Sequence, residues 1–107
     1  MRITVSHDKG KDEAIRIVND AADQMLRPLF SGPLRMSNVR KQWNGSTLDF
    51  SLSAGVGGAI AVPINGSIIV TERDITIDCA LPAFIDRLLP ESGLKAGVQA
   101  AIRGLLK

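Results

Sequence analysis

From Val39 to Leu81 the sequence runs largely on a period of two, and that period restricts what the chain can fold into more than any other feature. Leu48, Phe50 and Leu52 alternate with Thr47, Asp49 and Ser51, while Ile60, Val62, Ile64, Ile68 and Val70 share one parity with Gly66 in register between them. Ile75, Ile77, Cys79 and Leu81 repeat the pattern against Thr76, Asp78 and Ala80. Successive side chains of a strand point to opposite faces, so each run is a half-buried strand with one apolar face. Val39, Lys41 and Trp43 alternate with Arg40 and Gln42 just before Asn44-Gly45. Asn-Gly between two such runs predicts a hairpin, because both residues tolerate the positive φ of a type I′ turn.

Gly55, Gly57 and Gly58 follow an apolar run, as the glycines of a phosphate-binding loop would. Such a loop must open a helix whose N-terminus faces the anion. Here "AIAVPINGSIIV" follows, a strand pattern containing Pro63, so the glycines are expected to turn the chain between two strands. Asn65-Gly66 could be a second tight turn, but unbroken parity across it favours one long strand that bends or bulges at Gly66. Pro63 donates no ladder hydrogen bond, which points to an edge segment or a bulge.

Helical spacing occupies the two ends. Ile3 and Val5 make a short strand, after which Ala14, Ile17, Val18, Ala21, Met25 and Leu26 form one stripe. That stripe predicts an amphipathic helix of about 16 residues, with Asp12 and Glu13 at its positive end and Arg27-Pro28 at its close. "SGPL", residues 31–34, reads as a connection without periodicity. Near the other end, Phe84, Ile85, Leu88 and Leu89 lie at helical spacing between two prolines. Ser92 is the expected N-cap of a final helix whose stripe is Leu94, Val98, Ala101, Ile102 and Leu105. Gly93, Gly97 and Gly104 weaken that helix unless they serve close packing.

One apolar parity per strand and one stripe per helix are satisfied together by an α+β fold. The expectation is a single antiparallel sheet of about five strands, in the order strand, helix, four strands, helix, with the helices packed on one face. The chain is the size of a single domain spanning 1–107. Its opposite sheet face would carry Thr47, Asp49, Ser51, Ser67, Ile69, Thr71, Thr76 and Asp78, facing water or a second copy.

Charge and chemistry exclude more than they assign. Thirteen basic residues against 11 acidic ones, scattered along the chain, give +2, too weak a field to indicate nucleic acid. One cysteine, Cys79, allows no internal disulfide and suits a reducing cytoplasm. It shares the apolar parity and reads as a buried thiol rather than a nucleophile. No run approaches the roughly 20 apolar residues of a membrane helix, and the first residues do not form a signal peptide. The single His7 lacks histidine or cysteine co-ligands nearby, so neither a metal site nor a cofactor is expected. No triad or paired carboxylates stand out, and the expectation is a protein that is not an enzyme. Trp43, beside a turn, is expected at the core or its rim.

Several segments nevertheless carry a likeness. "QWNGSTLDFSL", "NGSIIVTERDITIDCALP", the opening "ITVSHDKGKDEAIRIVNDAADQM" and the closing "GVQAAIRGLL" resemble the small bacterial polyhydroxyalkanoic acid system proteins. The connection "SGPLRMSN" departs from that family's usual course. The resemblance implies association with storage polyester granules and transfers no catalytic residues. It suggests a non-enzymatic cytoplasmic accessory that binds a polyhydroxyalkanoate granule or a granule protein. Candidate contacts are Phe84, Leu88, Leu89, Leu94 and Val98 of the C-terminal stretch, together with Ile69 and Trp43. Two alternatives are a homodimer formed through the polar face or the edge near Pro63, and a binder of a small hydroxyacyl compound between sheet and helices.

Overall fold

The computed structural model describes residues 2–26, 34–56, 60–80 and 91–106. Its elements are β1 (Arg2–Ser6), α1 (Lys11–Leu26), β2 (Leu34–Asn44), β3 (Thr47–Val56), β4 (Ile60–Val70), β5 (Asp74–Cys79) and α2 (Glu91–Leu105). The strands form one five-stranded sheet in the order β1-β5-β4-β3-β2, every neighbouring pair antiparallel. This is the α+β arrangement that the alternation requires.

Register explains the core. Ile3 pairs with Ile77, Ile77 with Ile68, Ile68 with Leu48, and Leu48 with Trp43, so one row of apolar side chains crosses all five strands on one face. These residues, with Val5, Phe50, Leu52, Ile64, Val70, Ile75 and Cys79, join Ala14, Val18, Ala22 and Met25 of α1 and Val98 and Ile102 of α2 in one cluster. Full burial of each large aliphatic side chain contributes about 1.5–3 kcal/mol. Helix α1 departs from helical geometry at Ala21 (φ −129°, ψ 17°), yet Ala21, Ala22 and Met25 beyond it remain buried.

Several local expectations change. Asn44 pairs with Thr47, so the two-residue loop is Gly45-Ser46 rather than Asn44-Gly45. Gly45 has φ +62° and neither Asn44 nor Ser46 has positive φ, the pattern of a type II′ turn, in which glycine occupies the first central position. Strand β2 begins at Leu34, inside the segment read as a connection. A bulge between Ser37 and Arg40 hides this strand from the sequence: it sets Asn38 (φ +53°) and Val39 against Leu52 and reverses the parity. Met36 and Trp43, on opposite parities, thereby both pack against the core.

At the C-terminal end, α2 starts at Glu91, which places Ser92 inside the first turn instead of at the N-cap. A β-carbon on Gly93 or Gly104 would meet nothing within 4 Å, so these two glycines serve no close packing.

The glycine and proline readings are met in part: Gly55 lies inside the β3 ladder opposite Ala61, and the register passes Gly66 without a bulge. β4 is one strand of 11 residues running straight through Asn65 and Gly66. It starts as an antiparallel partner of β3, so a strand and not a helix follows Gly55; Gly57 and Gly58 lie outside the described residues. β5 pairs with β4 only from Gly66 onward, and among the described residues Pro63 lies where β4 has β3 alone as neighbour.

The N-terminal end is closed by the β4–β5 turn. The Thr71 hydroxyl accepts from the Asp74 amide (2.9 Å), and the Thr71 amide donates to the Asp74 carbonyl (2.9 Å). Thr71 therefore belongs to this turn and not to the polar sheet face. Glu72 in the same turn accepts from the Lys11 amide at 3.2 Å, putting a carboxylate on the first turn of α1 beside Asp12 and Glu13.

Candidate functional site

The side of the sheet away from the core is built by the opposite parity of the same strands. One row runs Arg2, Asp78, Ser67, Asp49, Gln42 across all five, and a second runs Thr4, Thr76, Ile69, Thr47 across four. Small polar residues dominate, and they are bonded along the rows. Thr4 and Thr76 hydroxyls lie 3.0 Å apart, Ser6 donates to Asp74 at 3.2 Å, and Arg2 pairs with Asp78 at 3.3 Å. The last pair is largely exposed and contributes little to stability.

A trough crosses β2, β3 and β4 on this face, an open depression of about 690 Å³. Its residues form a three-by-three block in which Arg40 pairs with Ser51 and Ser51 with Asn65 along one bank. Gln42, Asp49 and Ser67 are paired in the same way along the other bank. Between them Lys41, Phe50 and Gly66 contribute backbone, since their parity sends side chains to the opposite face and glycine has none. Alternate residues of a strand stand about 6.6–6.8 Å apart, which sets the trough's width, and three strands span about 10 Å.

The banks differ chemically. Asp49 is held from two sides: Ser67 Oγ donates to Oδ1 at 2.8 Å, and Asn44 Nδ2 donates to Oδ2. Arg40, diagonal to it, makes no ion pair or hydrogen bond among the described residues. The trough thus offers a fixed acceptor-only group and an unengaged donor-only group, with amides and hydroxyls between.

A smaller cleft of about 340 Å³ is lined by Ser6, His7, Asp8, Arg103 and Leu106. Both His7 ring nitrogens are engaged there. The Lys9 amide donates to Nδ1 (3.2 Å), so Nε2 carries the proton and donates to the Thr71 carbonyl (2.9 Å). His7 ties β1 to the β4–β5 turn.

The chain matches the family described as polyhydroxyalkanoic acid system proteins over residues 1–106. It belongs to that family. Neither curated proteins nor solved structures give a match. The span of the family match includes "SGPLRMSN", the segment that contains the start of β2.

Within this family member the candidate contacts separate by position. Val98 is fully buried and faces the core, where it packs rather than meets a partner. Trp43 is half-buried, and its Nε1 donates to Asn19 Oδ1 of α1 at 2.9 Å. Ile69 is half-buried on the polar face between Thr47 and Thr76. Phe84, Leu88 and Leu89 lie outside the described residues, as does the side chain of Leu94. Trough residues Arg40 and Asn65 were not candidates from sequence, because only the cross-strand register brings them beside Asp49.

Burial pushes the Cys79 thiol up from its ordinary pKa, with the neighbouring Asp78 carboxylate adding to the effect. A thiol held protonated makes a packing group and a poor nucleophile. No helix among the described residues is long and apolar enough to cross a membrane.

Proposed function

We propose that this protein is a non-enzymatic accessory of polyhydroxyalkanoate storage, held at a granule surface or by a granule protein through the outer face of its sheet. The observation that carries this reading is the family match across residues 1–106. The choice of surface is supported by the sheet itself. Its inner face is occupied by the shared core, while the outer face presents the exposed Thr4, the half-buried Thr47 and Ile69, and the trough. Edge strand β2 carries a bulge together with Arg35, Arg40 and Lys41, features that disfavour pairing edge to edge. A partner therefore meets the face more readily than that edge.

The test is flotation of native granules from a lysate, a salt wash, and immunoblotting of the fractions for the wild type and for Ile69→Lys. Wild type retained after the wash, with Ile69→Lys released, supports the reading. Wild-type protein recovered wholly in the soluble fraction overturns it, and equal retention of both proteins removes the outer face as the contact.

A further inference from the structure

We propose that the trough across β2, β3 and β4 binds a small hydroxycarboxylate, its carboxylate on Arg40 and its hydroxyl donating to Asp49. Arg40 and Asp49 are diagonal neighbours, since Arg40 pairs with Ser51 and Asp49 with Gln42. Diagonal partners on adjacent strands stand about 7–8 Å apart at their α-carbons. The two groups form no ion pair with each other, and the depression they line, about 690 Å³, has room for a molecule of a few heavy atoms.

Each bank then selects part of the ligand. A guanidinium only donates and prefers a planar anion, which it grips with two parallel bonds. Arg40 has no engagement among the described residues to give up. An ionised carboxylate only accepts. Ser67 and Asn44 fix the Asp49 carboxylate and leave each oxygen further lone-pair capacity. The group that meets it must carry a hydrogen, as a hydroxyl does. A plain alkyl carboxylate would leave Asp49 unused, a dicarboxylate would set like charge against it, and a neutral alcohol would leave Arg40 without an anion. Ser51, Asn65 and Gln42 can donate or accept, so they accommodate the ligand without selecting it.

This inference deepens the storage reading and rests on it for the choice of probe, because the monomer of a polyhydroxyalkanoate is a hydroxycarboxylate. Its test involves no granules, so the two can fail separately. The full chain, labelled with nitrogen-15, is titrated at constant ionic strength with 3-hydroxybutyrate, with butyrate and with methyl 3-hydroxybutyrate, and amide shifts are followed. Expected are saturable shifts confined to residues 40–42, 49–51 and 65–67, with a Kd on the order of a millimolar for so open a site. Butyrate and the methyl ester should each bind at least several-fold more weakly. Arg40→Gln should abolish the preference for the acid over its ester, and Asp49→Asn should narrow the preference for hydroxybutyrate over butyrate. Arg40→Gln breaks no bond among the described residues, so it keeps the test decisive should Asp49→Asn disturb the sheet. Shifts that fail to saturate, that spread over the surface, or that are equal for acid and ester overturn the proposal.

Discussion

Phe50 and Gly66 are cross-strand partners, and the ring of Phe50 occupies the space that a side chain at position 66 would need. A β-carbon built on Gly66 would stand 2.6 Å from Phe50 Cζ, 2.6 Å from Cys79 Cβ and 2.9 Å from the Asp78 carbonyl oxygen. The last two atoms are fixed to β5 and cannot swing away. Gly66→Ala should therefore destabilise the fold by about 1–3 kcal/mol through overpacking. Urea unfolding of the two proteins, compared at equal slope, measures this; an unchanged midpoint would mean that the sheet opens at Gly66 at no cost.

The opposite sign is expected in α2. Gly93 and Gly104 are exposed, have no neighbour to serve and lie within helical backbone without positive φ. Replacing glycine by alanine in a helix interior gains about 0.5–1 kcal/mol, less near an end. The double variant Gly93→Ala/Gly104→Ala should melt a few degrees higher than the wild type. A lower melting temperature would show that the flexibility at one of these positions is required.

Much of this fold can be read from the sequence because period two survives in β3, β4 and β5, where no residue is inserted. β2 is the exception for a physical reason. Its bulge moves the inward parity from Met36 to Trp43, so the run before Asn38 loses its rhythm and reads as a loop. The hairpin was visible in Asn44-Gly45, but the turn's frame was not, since Gly45-Ser46 serves equally well once glycine takes the first central position. The polar face was legible as Asp49, Ser51 and Ser67. Its trough was not, because Arg40 and Asn65 join those residues only through pairings of 11 and 14 positions along the chain.

Trp43 gives a direct probe of how α1 is seated. Its indole Nε1 donates to Asn19 Oδ1 at 2.9 Å, joining the helix to the β2–β3 hairpin, and it is the single tryptophan of the chain. Asn19→Ala should cost about 0.5–1.5 kcal/mol, and Trp43→Phe should make that second loss small in a double-mutant cycle. Additive losses would show that the bond contributes nothing. Tryptophan emission should also shift in Asn19→Ala before any global unfolding.

Glu72 should behave as a cap supplied from outside the helix. Its carboxylate accepts from the Lys11 amide, one of the donors that a helix N-terminus leaves without an internal partner. Glu72→Ala should cost about 0.5–2 kcal/mol, in the range of other N-terminal caps, and Glu72→Gln less. Amide exchange would locate the effect: protection should fall first over the opening turn of α1 and at the Thr71 turn, which Glu72 joins to it. Uniform loss across the sheet would point instead to a role for Glu72 in folding the hairpin.

Cys79 sets the behaviour at alkaline pH. Burial raises its thiol pKa in the folded protein, whereas the unfolded chain releases that proton near the ordinary value of about 8.5. The unfolded state then binds fewer protons than the folded one, so stability falls as pH rises. The stabilisation due to the protonated thiol is complete below the unfolded pKa and is lost between that value and the raised folded one. Wild type and Cys79→Ala, compared by urea unfolding at pH 7 and pH 10, should therefore converge at the higher pH. The wild type should lose more, because alanine has no proton to release. A gap that stays constant would mean that the folded thiol ionises as freely as the unfolded one, and that position 79 is open to water despite its place in the core.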